Sequence, residues 1–294
     1  MEEKLSLQEW IGLAQQKNMS FGDFCVDLQA KELDINQEEL LTRMESLLEV
    51  MEQSIKIGLS GIKSMGGLVG GNGKLVENYR REHPKASVVG SVMSKAIMIA
   101  LAVGEANASM GRIVAAPTAG ASGTLPAVLF SLGEAQACSQ SKLAKALVVA
   151  GAIGMVIASR ATLAGAEGGC QAECGSAGAM AAGAAVELYG GSPDQVGQAV
   201  AMTLKNMLGL VCDPVAGLVE VPCVKRNAGA VAVSMAAAEM ALAGIKSVIP
   251  VDEVIDAMAA VGHAMSSSLR ETSQGGLAVS PTGLAWAKKI FADS

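Results

Sequence analysis

The sequence predicts an all-α protein: a single large helical domain with closely packed Ala-, Gly- and Met-rich helices and glycine-rich loops. Three observations carry that prediction. Apolar residues make up 51% of the chain but aromatics only 3%, so Ala, Met, Leu, Val and Ile must fill the core. Small side chains let helix backbones approach closely, which favours helices buried on most sides over a β-sandwich. No series of β-runs alternates with the helical segments.

Charge and cysteine usage narrow the function classes. The net charge of −6 is dispersed, and Tyr79-Arg80-Arg81 lies beside Glu77 and Glu82, which reads as a solvated face; no nucleic-acid partner is expected. The first residues, MEEKLSLQEW, lack a basic region followed by an apolar one, so no secretory signal is visible. The longest uncharged apolar stretch, Ala146 to Ala158, is shorter than the roughly 20 residues a membrane helix needs. A cytoplasmic protein without a membrane partner is expected. Six cysteines are too sparse for a disulfide framework, which leaves core residues, metal ligands or redox groups.

Residues 4–58 read as two or three amphipathic helices, with Leu40, Leu41, Met44, Leu47, Leu48 and Met51 at helical spacing among Glu38, Glu39, Arg43 and Glu45. Ser20 starts a helix in which Cys25 is a small core residue. Glycines crowd 61–73, a loop beside a ligand or partner. A helix resumes over about 88–108, and VAAPTAGASGTLP at 114–126 leads into a small-residue loop. Ala-rich helices are expected over about 142–160, 176–189, 194–209, 228–243 and 252–269. The third opens with Ser192 as N-cap and Pro193 at the first position.

Within PTAGASG, Gly120, Ser122 and Gly123 precede an apolar segment. Glycines let backbone N–H groups approach an anion, and a following helix N-terminus favours negative charge. No GK[ST] follows, so nucleotide phosphate is not the anion, and an ordinary tight turn is the alternative. AEGGCQAECG at 166–175 puts Cys170 and Cys174 on one face if that stretch is helical. Cys212 and Cys223 lie at 211–230, a segment that Pro214, Gly217 and Pro222 keep from regular structure. Cys170, Cys212 and Cys223 form no CxxC pair. An odd number of converging thiols suits a metal cluster with one corner free of protein, and buried-thiol packing is the alternative. Cys138 reads as a surface-turn residue. His83 and His263 are too isolated for a His-rich metal site, no GxSxG elbow supports a Ser-His-Asp triad, and the methionines are core filler.

Four segments together resemble the α chain, or catalytic domain, of bacterial iron–sulfur-dependent L-serine dehydratases. They are ANASMGRIVAAPTAGASGTLPAV (106–128), AGAEGGCQAECGSAGAMAAG (164–183), LGLVCDPVAGLVEVPCVKRNA (208–228) and ETSQGGLA (271–278). The resemblance extends over about residues 60–285. It implies a 4Fe–4S cluster held by Cys170, Cys212 and Cys223, with one iron open to L-serine. It also implies that Thr118, Gly120, Ala121, Ser122 and Gly123 meet the substrate carboxylate. Cys174 departs from the family pattern, where an aliphatic residue is usual, and is expected to be a core substitution. Residues 1–60 are then N-terminal helices packed on a catalytic core at 61–294. Single-chain members carry an extra domain ahead of this region, so the chain is expected to work with a separate β (regulatory) chain.

The resemblance implies elimination of water from serine, giving pyruvate and ammonia. An open iron withdraws charge from the departing hydroxyl and the loop fixes Cα beside a base. Candidates for the base are Lys63, His83, Lys95 and a cluster-bound hydroxide. Arg226 and Asn227 are expected near a ligand cysteine or the substrate, Arg226 equally as a salt bridge. Two other classes stay open: a pyridoxal-phosphate lyase acting on serine or threonine, and a non-catalytic helical subunit.

Overall fold

The structure, a computed structural model, describes residues 4–292. The helices are α1 (Leu7–Gln16), α2 (Phe21–Glu32), α3 (Gln37–Leu59), α4 (Asn72–Glu82), α5 (Gly90–Ala108), α6 (Thr124–Ala135), α7 (Gln140–Arg160), α8 (Gly165–Gly168), α9 (Ser176–Leu188), α10 (Pro193–Met207), α11 (Cys223–Leu242), α12 (Val251–Ala264) and α13 (Pro281–Ala292). Among the described residues there is no strand, and the all-α expectation holds. Two isolated bridges join Lys63 to Gly70 and Cys212 to Arg270.

Helix α9, SAGAMAAGAAVEL, is the axis: every one of its residues is buried, and α6, α7, α10 and α11 surround it. Its glycines and alanines are what let four neighbours approach. A Cβ on Gly183 would come 2.2 Å from Ile153 Cδ1 of α7, and one on Gly178 would come 3.1 Å from Thr203 Cγ2 of α10. A second close crossing joins α3 to α5, where a Cβ on Gly58 would sit 1.9 Å from the Ala102 carbonyl oxygen. Helices α1, α2 and α3 lay Leu7, Phe21, Leu40 and Leu48 into the same core as α7 and α9. Among the described residues α7 alone is long and apolar enough to cross a membrane, and 67% of its most apolar stretch is buried inside the protein.

Side-chain caps set several helix starts as expected. Ser20 accepts from Asp23 N, and Ser192 and Gln195 form a reciprocal capping box before Pro193. Elsewhere tertiary contacts override the sequence pattern. Helix α4 was not expected. It starts where Glu105 of α5, fully buried, accepts from Asn72 N at 2.7 Å and Gly73 N at 3.2 Å, satisfying orphan donors of the first turn. Helix α11 starts at Cys223, not at about 228, and α12 stops at Ala264, short of 269.

Candidate active site

Cys170 leads into a π-helical turn, Gln171–Gly175, that runs directly into α9. Such wide turns are frequent at functional sites. Buried Gln171 locks this turn to the next cysteine segment. Its N–H donates to Leu210 O at 2.9 Å, its Oε1 accepts from Gly209 N at 2.9 Å, and its Nε2 donates to Met258 O of α12. Cys212 lies on extended backbone, its N–H donating to Leu269 O and its carbonyl accepting from Glu271 N, both at 2.8 Å. Cys223 is the first residue of α11, so the irregular segment expected to carry it ends at Pro222.

Cys170, Cys174 and Cys212 pack with Ala121, Ala177 and Met207 in one apolar pocket, and Cys223, at the head of α11, is close enough to feel the charge of Cys170. Cys170 is held below the ordinary thiol range by a hydrogen bond from Cys174, and the Arg226 charge adds to this. Burial pushes the Cys223 thiol up to about 12, and the charges of Cys170 and Glu173 add to that. Cys212 is pushed up in the same way, by burial first and then by Cys170 and Glu173. Cys174 is raised by its hydrogen bond to Cys170 and by burial. The charge of Cys170 is thus felt at Cys174, Cys212 and Cys223, which stand on three backbone elements.

The 117–123 loop closes one side of this pocket through Ala121. Asn227, fully buried on the first turns of α11, clamps it: Oδ1 accepts from Gly123 N at 2.9 Å, and Nδ2 donates to Gly120 O at 2.8 Å and Cys223 O at 3.0 Å. Gly123 N is therefore committed to Asn227. Ser122 Oγ is buried without a hydrogen-bond partner. Thr118 Oγ1 donates to Glu173 Oε1 at 2.8 Å. Asn227→Ala would strand buried groups on both the loop and α11, at about 1–3 kcal/mol for each group left unpaired. A lower urea midpoint with the same slope is the expected result, checked by equilibrium unfolding.

Arg226 makes the salt bridge that was one of its two expected roles. It donates to Asp213 Oδ1 at 2.8 Å and to Val211 O at 2.6 Å, bracing both neighbours of Cys212. Asp213 in turn accepts from Leu277 N, which ties the 271–278 motif to the same segment.

The three side chains expected as bases separate. Lys95 pairs with Glu134 and lines another cavity with Lys56, Phe130 and Cys138. Glu134 stands ten residues along α6 from Thr124, about 15 Å from the loop end of that helix. His83 is exposed against Tyr79 and near Ser91 and Ser94, at the end of α5 opposite Gly104, which packs on Val224 beside Cys223. Neither belongs to the thiol pocket. Lys63 is on the glycine loop, which is tied to the segment ahead of Cys223 through Glu220: this buried carboxylate accepts from Ser64 Oγ, Gly66 N and Leu68 N. Cys25 is buried on α2, and Cys138 lies in the turn between α6 and α7, both as expected.

Glu173 and Glu271 are the site residues that sequence reasoning missed. Their carboxylates and the Cys212 sulfur lie within 4.8 Å of one another. Glu173 is raised above the ordinary carboxyl range by burial and by the charge of Glu271, against hydrogen bonds from Thr118 and Cys212. Gly165 makes room for this group, since a Cβ there would meet Glu173 Oε2 at 2.5 Å and Cys212 Sγ at 3.3 Å. The signal was present: Glu173 is the acidic residue three positions past Cys170 in a run of Ala and Gly.

The family model described as serine dehydratase alpha chain matches residues 4–278. A probable L-serine dehydratase alpha chain of Bacillus subtilis is 47% identical over 286 residues, covering 97% of this chain and 95% of that one. The L-serine dehydratase alpha chain of Peptoniphilus asaccharolyticus is 50% identical over 205 residues, 70% of each chain. L-serine dehydratase 1 of Escherichia coli is 46% identical over 184 residues, 62% of this chain and 40% of the longer relative.

Proposed function

The chain belongs to the serine dehydratase alpha chain family, and we propose that it is the catalytic chain of a cytoplasmic L-serine dehydratase, converting L-serine to pyruvate and ammonia. The observation that carries this reading is the packing of Cys170 and Cys212 against Ala121 of the 117–123 loop, with Cys223 opening the helix whose Asn227 clamps that loop. In this reading the three cysteines hold a 4Fe–4S cluster. The donor set fits: the sulfurs come from a π-turn, an extended segment and a helix start, and Arg226 supplies positive charge beside thiolates. The unpartnered Ser122 hydroxyl fits a site that receives a further polar group. Bound there, the cluster would supply a Lewis-acidic iron that eases departure of the β-hydroxyl.

The chain's own residues do the rest. Ser122 Oγ is free to donate to the substrate carboxylate, and the Asn227 clamp holds the loop rigid so that Cα is fixed. Glu173, steadied by Thr118 and facing Cys212, takes the Cα proton; it replaces His83 and Lys95 in that role and leaves Lys63 as the second candidate. The released aminoacrylate tautomerises and hydrolyses without further help. A separate β chain completes the enzyme. Support for it comes from Met65, 76% exposed on the glycine loop, and Met110, 81% exposed, two residues past the Ala108 carbonyl to which Met65 N–H is bonded.

Serine turnover of the anaerobically reconstituted chain, followed as pyruvate with and without a candidate β chain, tests the reading. Turnover that needs or rises with the β chain is expected. No pyruvate under either condition would overturn it, and full turnover by the chain alone would reduce the β chain to a regulator. Ser122→Ala should raise KM for serine about tenfold and leave iron content intact; unchanged kinetics would make Ser122 a turn residue only.

A further inference from the structure

A cavity of about 420 Å³ adjoins the thiol pocket across the 270–272 segment: Arg270 and Thr272 line it, whereas Glu271 between them is turned toward Glu173 and Cys212. Its other walls are the end of α7, α8 and α12, and its volume lies within the usual range of small-molecule sites. Two opposite charges share this space without neutralising each other. Arg270 donates one N–H to the Glu167 carbonyl oxygen at 3.2 Å, but its Nε is buried with no partner. The Glu167 carboxylate is oriented by Thr162 Oγ1 at 2.5 Å. No ion pair joins it to Arg270 among the described residues. A guanidinium with a stranded buried donor and a pre-oriented carboxylate across one cavity match a ligand that carries both charges.

We propose that this cavity binds a free α-amino acid, its carboxylate on Arg270 and its ammonium on Glu167, with His263 and Ser267 beside the side chain. This second site stands apart from the proposed reaction and needs none of its chemistry.

Titration calorimetry of the anaerobically reconstituted full chain with L-alanine, which has no β-hydroxyl to eliminate, is the test. Arg270→Gln and Glu167→Gln should each weaken alanine binding at least tenfold, and propionate, which lacks the ammonium, should bind at least tenfold more weakly than alanine. Because both charges adjoin the cysteine segments, a third variant is needed. Ala259→Met fills the cavity from α12 and leaves both charged residues in the sequence. It should abolish the same binding with unchanged circular dichroism and iron content, and that binding should survive Ser122→Ala. The proposal is overturned if alanine binds Ala259→Met as it binds the wild type, if propionate binds as well as alanine, or if all alanine binding disappears in Ser122→Ala.

Discussion

Cys170→Ser, Cys212→Ser and Cys223→Ser are each expected to lose iron on anaerobic reconstitution and to lower serine turnover by about three orders of magnitude or more. A serine oxygen is a harder and far less acidic ligand than a thiolate, and Cys212 and Cys223 each stand on a backbone element that carries no second cysteine. Cys25→Ser and Cys138→Ser serve as controls: one lies in the α2 core and the other in a turn, and both should keep full iron content. Cys174→Ala should also keep iron, since its sulfur hydrogen-bonds Cys170 but is not in the ligand set. Iron analysis on purified variants decides each case. Full iron in any of the first three would remove that residue from the set.

Glu173→Gln should lower kcat by about 10²- to 10⁴-fold with iron still bound, the usual contribution of a positioned general base. The amide keeps the shape of the side chain and can still accept from Thr118 Oγ1, so the loop should stay in place and KM should change little. A large rise in KM with kcat preserved would instead make Glu173 a positioning residue for the loop. Lys95→Gln, which breaks only the exposed pair with Glu134, should leave kcat within about twofold of the wild type.

Much of the site was readable in sequence because its motifs are dense with residues that have few other uses. Cysteines beside glycine and proline, and a loop of small residues before a helix, point to one place once the cysteines are assumed to converge. What escaped was set by contacts between distant segments. Helix α4 is polar and opens with Gly71-Asn72-Gly73, so local pattern argues for a loop; Glu105, thirty-three residues on, supplies the missing cap. The glycine loop read as a loop beside a ligand or partner, and Glu220 of the same chain gathers it by three hydrogen bonds. The start of α11 moved back to Cys223 because its first turns carry Asn227 to the 120–124 loop and Val224 to Gly104 of α5. Glu173 was overlooked since the cysteines on either side of it, Cys170 and Cys174, draw the reading until its partners Thr118 and Cys212 are seen.

The anaerobic visible spectrum of the reconstituted chain, taken with its iron and sulfide content, tests the central claim most directly. A broad brown absorbance with about four irons and four sulfides per chain, lost in Cys212→Ser, is the predicted result. A resolved pyridoxal band, or an iron-free colourless protein that nonetheless converts serine to pyruvate, would contradict it.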